Sequence, residues 1–551
     1  MHPVCRPLHA DNTTSGLAIN LTSQPDFSTQ WAFVDIMRSS RGWISNRDGS
    51  PWGQGGELEL DEGGWVRSLD PGQRVTHMWD NKHLPAGRYT LLYDGVGTFR
   101  SWQGTNVVEE PGRIQFDIAE GGSPLFDITS VQEGNHARNI RLIMPGFEDT
   151  YLEEPFHPLF LYSLKNYSVL RFMDWGSTNF NNVERWEQRQ TADCYMWQSG
   201  LHEHYGLPWE WMIELSNKVD QDAWICIPHK ADEQYIRNLA EMFKTGLNPN
   251  LRVYLEHSNE VWNFMFTQTH DCVVAGKDLG LATEDVKAML RYHSERSVTI
   301  FEIFEEVFGG HQRLVRVLGG HVANPAWARE IITWKDAYQK SDAVAIAPYF
   351  GNGRTDANVD VMLDKAEQHM GEVMQLVTQH RVQCDEFGLD LIAYEGGQHL
   401  VDEALTDQIM EANRSERMGQ LYLQYFDAWK AAGGGLFAVF ASVGAWSKWG
   451  CWGLLEYQDQ DTLEVPKYMA VQQWAVENPR WWEDKWDPTS AFSASSDKVA
   501  APYRVLHRTT SIAGLPRMRT RYRVPVFDLR GRYSARAQAN AGRQAPRCTV
   551  Q

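Results

Sequence analysis

Between about residue 155 and residue 474, short apolar runs of five to seven residues alternate with longer stretches whose apolar positions recur every three or four residues. The runs are 169–174, 222–228, 252–256, 314–318, 343–348, 390–394 and 436–440; the helix-like stretches include 232–244 and 415–431. Buried strands that alternate with amphipathic helices predict parallel strands joined by crossover helices. With the apolar run 16–21 the strands number eight, enough to close a (β/α)8 barrel, the TIM barrel of the α/β class. Residues 31–38, after the first run, have helix-like apolar spacing. The rival arrangement is an open doubly wound sheet, but no glycine-rich dinucleotide loop follows any of the runs.

The pattern changes from about Ser50 to Gly146. Gly and Pro punctuate short alternating runs at 64–69, 87–93, 112–118 and 139–144, the texture of a small β-sandwich. The expected organisation is a first barrel strand and helix in 12–49, an inserted β-sandwich-like domain in 50–150, the rest of the catalytic barrel in 151–480, and a tail in 481–551. The tail has poor apolar periodicity, and from Asp497 it holds eleven Arg and one Lys against two Asp. Such a segment is expected to be disordered or weakly docked.

Composition narrows the function classes. A net charge of −19 argues against nucleic acid and anionic membrane as partners of the main body. No apolar run approaches the ~18 residues of a membrane span. The first ten residues lack a basic-then-apolar leader, so the expectation is a cytoplasmic protein, or a secreted one if a leader precedes this sequence. Seven Cys without paired spacing make neither a zinc pattern nor a disulfide framework, and their odd number leaves at least one thiol unpaired within the chain. Twenty-three Trp exceed what packing needs; flat apolar rings with a polar edge suit the C–H faces of pyranose sugars. His202-Glu203-His204 looks metal-like, but side chains two apart on a helix diverge and no third ligand is evident. Asp459-Gln460-Asp461 lacks the Gly and terminal Glu of a calcium loop and reads as a turn. No metal and no cofactor are expected.

The chemistry lies at two strand ends. Leu251-Arg-Val-Tyr-Leu-Glu-His-Ser-Asn-Glu-Val-Trp-Asn263 runs from an apolar strand into a polar cluster centred on Asn259-Glu260; Leu391-Ile-Ala-Tyr-Glu-Gly-Gly397 stops at Glu395. A lone Glu after an apolar run is ordinarily a solvated strand terminus. In a barrel, however, every strand's C-terminal end faces one mouth, so the fourth and seventh strands can bring Glu260 and Glu395 together. Paired carboxylates at one mouth are what glycosidic bond cleavage requires.

Asn-Glu after the fourth strand and Glu after the seventh resemble the clan A glycoside hydrolases, retaining enzymes on a (β/α)8 barrel. The resemblance covers the barrel, roughly residues 12–50 and 150–480, and not the tail. By position it implies that Glu260 is the general acid/base and Glu395 the nucleophile. It implies that Asn259 binds the 2-hydroxyl of the sugar, that Tyr349 hydrogen-bonds the nucleophile, and that Arg171 keeps the nucleophile ionised. His229 corresponds to a polar position lining the cleft, and Trp446, Trp449 or Trp452 to the Trp beneath the sugar. The charge on Glu395 would then favour a proton on Glu260. The implied activity is hydrolysis of β-linked polysaccharide or its oligosaccharides, with a β-1,4-glucan first and mannan, xylan or arabinofuranosyl substrates as alternatives. Two other classes remain: a carbohydrate-binding barrel without turnover, and a metal-dependent barrel hydrolase, whose His pairs at strand ends are not found here.

Overall fold

The computed structural model describes residues 15–81, 83–197 and 206–482. Eight parallel strands form a closed barrel. They are β1 (Leu17–Asn20), β2 (Val169–Arg171), β3 (Asp222–Ile227), β4 (Val253–His257), β5 (Leu314–Gly319), β6 (Ala343–Ile346), β7 (Asp390–Ala393) and β8 (Phe437–Val439). Closure is made by β1, which pairs with β2 in the register Ala18 to Val169 and with β8 in the register Ala18 to Ala438. The strands are apolar on both faces because the barrel interior and the surrounding helices both bury them.

The helices follow from the same spacing. The Glu233–Gly246 helix turns Tyr235, Ile236, Leu239, Ala240 and Phe243 to the sheet, and the Asp232 carboxylate caps it by accepting from the Tyr235 amide. Ser415 likewise caps the Glu416–Ala431 helix through the Met418 amide. Both lie where the apolar periodicity placed them. Among the described residues no helix is long and apolar enough to cross a membrane.

The β-rich segment folds as two four-stranded antiparallel sheets with a small two-stranded one, Glu59–Leu60 with Val66–Ser68. Val75, Phe99, Phe126 and Ile128 of one sheet share a core with Tyr89, Leu91, Ile114, Phe116, Ile140 and Leu142 of the other. It is inserted between β1 and the first helix of the barrel, Pro158–Leu164. Two boundaries differ from expectation. The strand Ile44–Arg47 already belongs to the insertion, pairing with Gln73–His77, so the insertion begins before residue 50. Residues 31–38 are extended and end in a short 3-10 turn, Met37–Ser39, instead of forming a helix. The cause is a neck of two segments lying side by side. The amides of Val34 and Ile36 donate to the carbonyls of Pro155 and Leu142, and those of Met144 and His157 donate back to Val34 and Ala32. Backbone groups engaged across a neck are not free to close helical turns.

The insertion also docks on the long loop after β2. Trp43 stacks on Tyr195 at 5.6 Å, and Arg38 lies over Trp65 at 5.3 Å and Trp197 at 5.1 Å. The tail beyond residue 482 and the His202-Glu203-His204 cluster lie outside the described residues.

Candidate active site

The turn after β4 has an unusual backbone. Ser258 (φ 59°) and Glu260 (φ 42°) both adopt left-handed conformations, a cost of about 1–3 kcal/mol each for non-glycine residues. The surrounding structure holds them there. The Ser258 amide donates to the Ile227 carbonyl, the Asn263 amide to the Glu260 carbonyl, and Gln268 Nε2 to the Asn259 carbonyl. The turn sends the side chains of Asn259 and Glu260 into the barrel mouth. Glu395 arrives there directly, two residues beyond the end of β7. Gly396 follows it because a Cβ there would meet the Phe437 ring at 2.3 Å.

Arg171, the last residue of β2 and wholly buried, organises the site. Its Nη1 donates to Glu395 Oε1 at 2.8 Å and to Asn20 Oδ1 at 3.0 Å. Its Nη2 donates to Asn259 Oδ1 at 2.8 Å and to Glu256 Oε2 at 2.9 Å, and its Nε also reaches Glu256 Oε2, at 3.1 Å. Tyr349 donates its hydroxyl to the second oxygen of Glu395 at 3.0 Å. On the opposite side, Glu260 Oε1 accepts from the Tyr394 hydroxyl at 3.0 Å and Oε2 from Asn263 Nδ2 at 3.0 Å.

Opposing influences act on Glu395. Burial pushes its carboxyl up, to about 8, and the neighbouring Glu260 adds to this, while the Arg171 charge and the hydrogen bonds from Arg171 and Tyr349 pull it down. The hydrogen-bond pattern favours the ionised form: each oxygen accepts from a donor, one of them a cation, which is the pattern of a carboxylate. Burial, followed by the charges of Glu395 and Glu260, holds the Tyr349 phenol well above its ordinary value, so it remains a donor. Burial alone would lower Arg171, but Cys226, Glu256 and Glu395 around it hold it well above its usual value.

The aromatic residues form a wall beside Glu395. Tyr349 packs on His399 at 5.4 Å and on Phe440 at 6.2 Å, and Trp452 meets His399 at 5.6 Å and Phe440 at 6.1 Å. Of the three Trp named from sequence, Trp452 therefore joins the site's aromatic cluster. Trp446 does not reach the mouth: it is buried under Lys467 and Arg414, with its indole N–H on the Gly453 carbonyl. Trp449 is exposed beside Lys448. The residue that directly follows β8 is Phe440. His229, after β3, has its Nε2 2.9 Å from Asp271 Oδ2. It lines a separate cavity of about 540 Å³ with Lys230, Asp232, Asp271 and Arg296. Burial holds His229 below its ordinary value despite that partner.

Several members of the site were not singled out from sequence. Asn20 ends β1 and Glu256 lies on β4, both inside apolar runs, so each carried the signal used for Glu395, a polar residue at the end of a buried strand. Tyr394, an aromatic in an apolar run, read as core. Glu256 is the third carboxylate of the cluster, 1% exposed, and it also accepts from Trp224 Nε1 at 2.8 Å. Without it two buried donors, Arg171 Nε and Trp224 Nε1, lose the acceptor they share, at a cost of about 1–3 kcal/mol each. Glu256→Leu is therefore expected to lower the unfolding free energy by about that amount in urea titration; a loss below about 1 kcal/mol, the surface-pair range, would contradict the pairing.

Among the described residues no group of three or more His, Cys, Asp or Glu side chains is placed to hold a metal ion. The structure thus has a closed (β/α)8 barrel with Asn259-Glu260 after β4 and Glu395 after β7. No protein-family model and no curated protein matches the chain. Among solved structures, the chain is similar to the GH51 arabinofuranosidase from Xanthomonas axonopodis pv. citri at 13% identity and a TM-score of 0.38, over 52% of this chain and 61% of that one. It is similar to the GH5-4 broad specificity endoglucanase from Clostridum cellulovorans at 11% identity and a TM-score of 0.31, over 58% of this chain and 86% of that one. It is also similar to the endo-β-1,4-mannanase from Thermotoga petrophila at 11% identity and a TM-score of 0.30, over 58% of this chain and 72% of that one.

Proposed function

We propose that the protein is a retaining glycoside hydrolase that cleaves β-glycosidic bonds of a polysaccharide or its oligosaccharides, with a β-1,4-glucan as the first substrate to test. The observation that carries this reading is the different treatment of two carboxyl groups at one barrel mouth. Glu395 is buried, with Arg171 on one oxygen and Tyr349 on the other, whereas Glu260 is partly exposed and carries only neutral donors, Tyr394 and Asn263. The first environment suits a charged nucleophile, the second an acid in contact with substrate.

In the first step Glu395 attacks the anomeric carbon while Glu260 gives its proton to the departing oxygen. A glycosyl ester forms on Glu395 and the Tyr349 hydroxyl is released toward the sugar ring. In the second step Glu260, now a carboxylate, takes a proton from water as that water attacks the anomeric carbon, and Glu395 leaves as a carboxylate. Asn259, oriented by Arg171 and by its own amide donating to Asn179 Oδ1 at 3.2 Å, is available to the 2-hydroxyl. Both steps displace at the same carbon, so configuration is retained.

Proton NMR of the first product, taken before mutarotation, tests the reading on a panel of β-linked polysaccharides and aryl glycosides. The expected result is a product with the anomeric configuration of the substrate. Inversion would require a water between the carboxyl groups and a separation of ~6.5–9.5 Å, and would overturn the roles given to Glu395 and Glu260.

A further inference from the structure

Glu260 does not sit alone at the mouth. Its Oε1 is met by a hydroxyl from the residue that immediately precedes the proposed nucleophile. Tyr394 is 1% exposed. Its amide donates to the Ile346 carbonyl of β6, and its carbonyl accepts from Asn20 Nδ2 of β1 at 3.0 Å, so the backbone is tied from both sides. Its ring is clamped between the Arg171 guanidinium at 5.0 Å and the Trp262 ring at 6.1 Å. The hydroxyl is thereby delivered to Glu260 at 3.0 Å by a buried, packed side chain.

We infer that Tyr394 is a positioning residue for Glu260, donating a hydrogen bond that strengthens as the Glu260 proton passes to the leaving group. This rests on the proposed function and extends it. A phenol hydrogen bond to a carboxylate is charge-assisted and stronger than one to a neutral carboxyl. It therefore favours the state Glu260 reaches when the glycosidic bond breaks, and it fixes the oxygen that must point at the departing atom. Burial and the charges of Glu260 and Glu395 keep the phenol protonated, hence a donor throughout. Because Tyr394 and Glu395 are consecutive in the chain, one clamped dipeptide sets the nucleophile and orients the acid.

Other groups face Glu260 and must be held constant in any test. They are Glu395 after β7, Tyr349 after β6, His321 after β5 and His399 in the loop after β7, with Asn263 on its second oxygen. Tyr394→Phe changes none of them and keeps the ring between Arg171 and Trp262.

The experiment compares Tyr394→Phe with the wild type on two aryl β-glycosides, one with a basic and one with an activated leaving group, across the pH range. Loss of a donor to the carboxylate makes Glu260 hold its proton more strongly, so the alkaline limb of kcat/KM moves to higher pH by about one unit. On the basic leaving group kcat falls by about tenfold, KM changes little, and the activated substrate is affected less. An unshifted limb with equal losses on both substrates would overturn the inference and leave Tyr394 a packing residue. A second readout needs no turnover. In protein labelled with ¹³C at the glutamate carboxyls, the Glu260 signal, identified by its absence in Glu260→Gln, titrates at higher pH in Tyr394→Phe. The same midpoint in both proteins overturns the inference even where the wild type hydrolyses every substrate. A wild type inactive on the whole panel, with the midpoint nonetheless shifted, would overturn the proposed function while leaving the hydrogen bond itself established.

Discussion

Glu395→Ala is expected to reduce turnover by on the order of 10⁴-fold or more, because no other group in the mouth can form the glycosyl ester. Of the carboxylates around Arg171, Glu256 lies deeper on β4, with Trp224 and Arg171 both donating to its Oε2. It cannot take over the attack. The truncation leaves space on the nucleophile's side, and azide placed there should restore turnover on activated aryl glycosides with inverted configuration, since a single displacement then occurs. Stability should fall little, because Arg171 retains Glu256, Asn20 and Asn259. Wild-type activity in this variant, or rescue with retained configuration, would remove Glu395 from the mechanism.

Glu260→Gln is expected to separate the two chemical steps. Gln keeps the shape and can still accept from Tyr394, but it carries no acidic proton. Substrates with basic leaving groups should lose ~10²–10⁴-fold in kcat/KM. Activated aryl glycosides, which need no protonation, should still form the ester, and its hydrolysis should become limiting because the base is gone. A burst of phenol release followed by slow turnover is the expected trace. Azide needs no base; it should relieve the second step and give a glycosyl azide of retained configuration, the opposite of its effect in Glu395→Ala. Equal losses on both substrates, without a burst, would contradict the assignment.

The barrel was legible because each strand is an apolar run between helices of clear period; Glu395 stops such a run, and Glu260 lies in the polar cluster that follows another. The insertion was legible from its turn residues. Residues 31–38 misled because their apolar spacing fits a helix, while their backbone partners, Pro155 and Leu142, lie more than a hundred residues away. Trp446 misled for a related reason. An indole near a strand end has the same local signature whether it faces sugar or lies under Lys467 and Arg414. Tyr394 was invisible because burial and chemistry both call for an aromatic ring, and only its hydroxyl, aimed across the mouth at Glu260, distinguishes them.

The position of the sandwich bears on how the chain reaches this state. The Asn20 and Arg171 side chains that meet in the barrel are 151 residues apart, and Asn20 meets Val439 across 419. Closing loops of that length is entropically costly and slows folding when it must precede any reward. The sandwich has its own core and can order first. Once formed, its neck holds residues 32–36 against residues 142–157 through paired amides, so the loop that β1 must still close to find β2 shrinks to residues 21–31 and 158–168. An insertion that looks like an ornament on the rim would then serve as a splint, delivering the first strand to the second and leaving the eighth to arrive last.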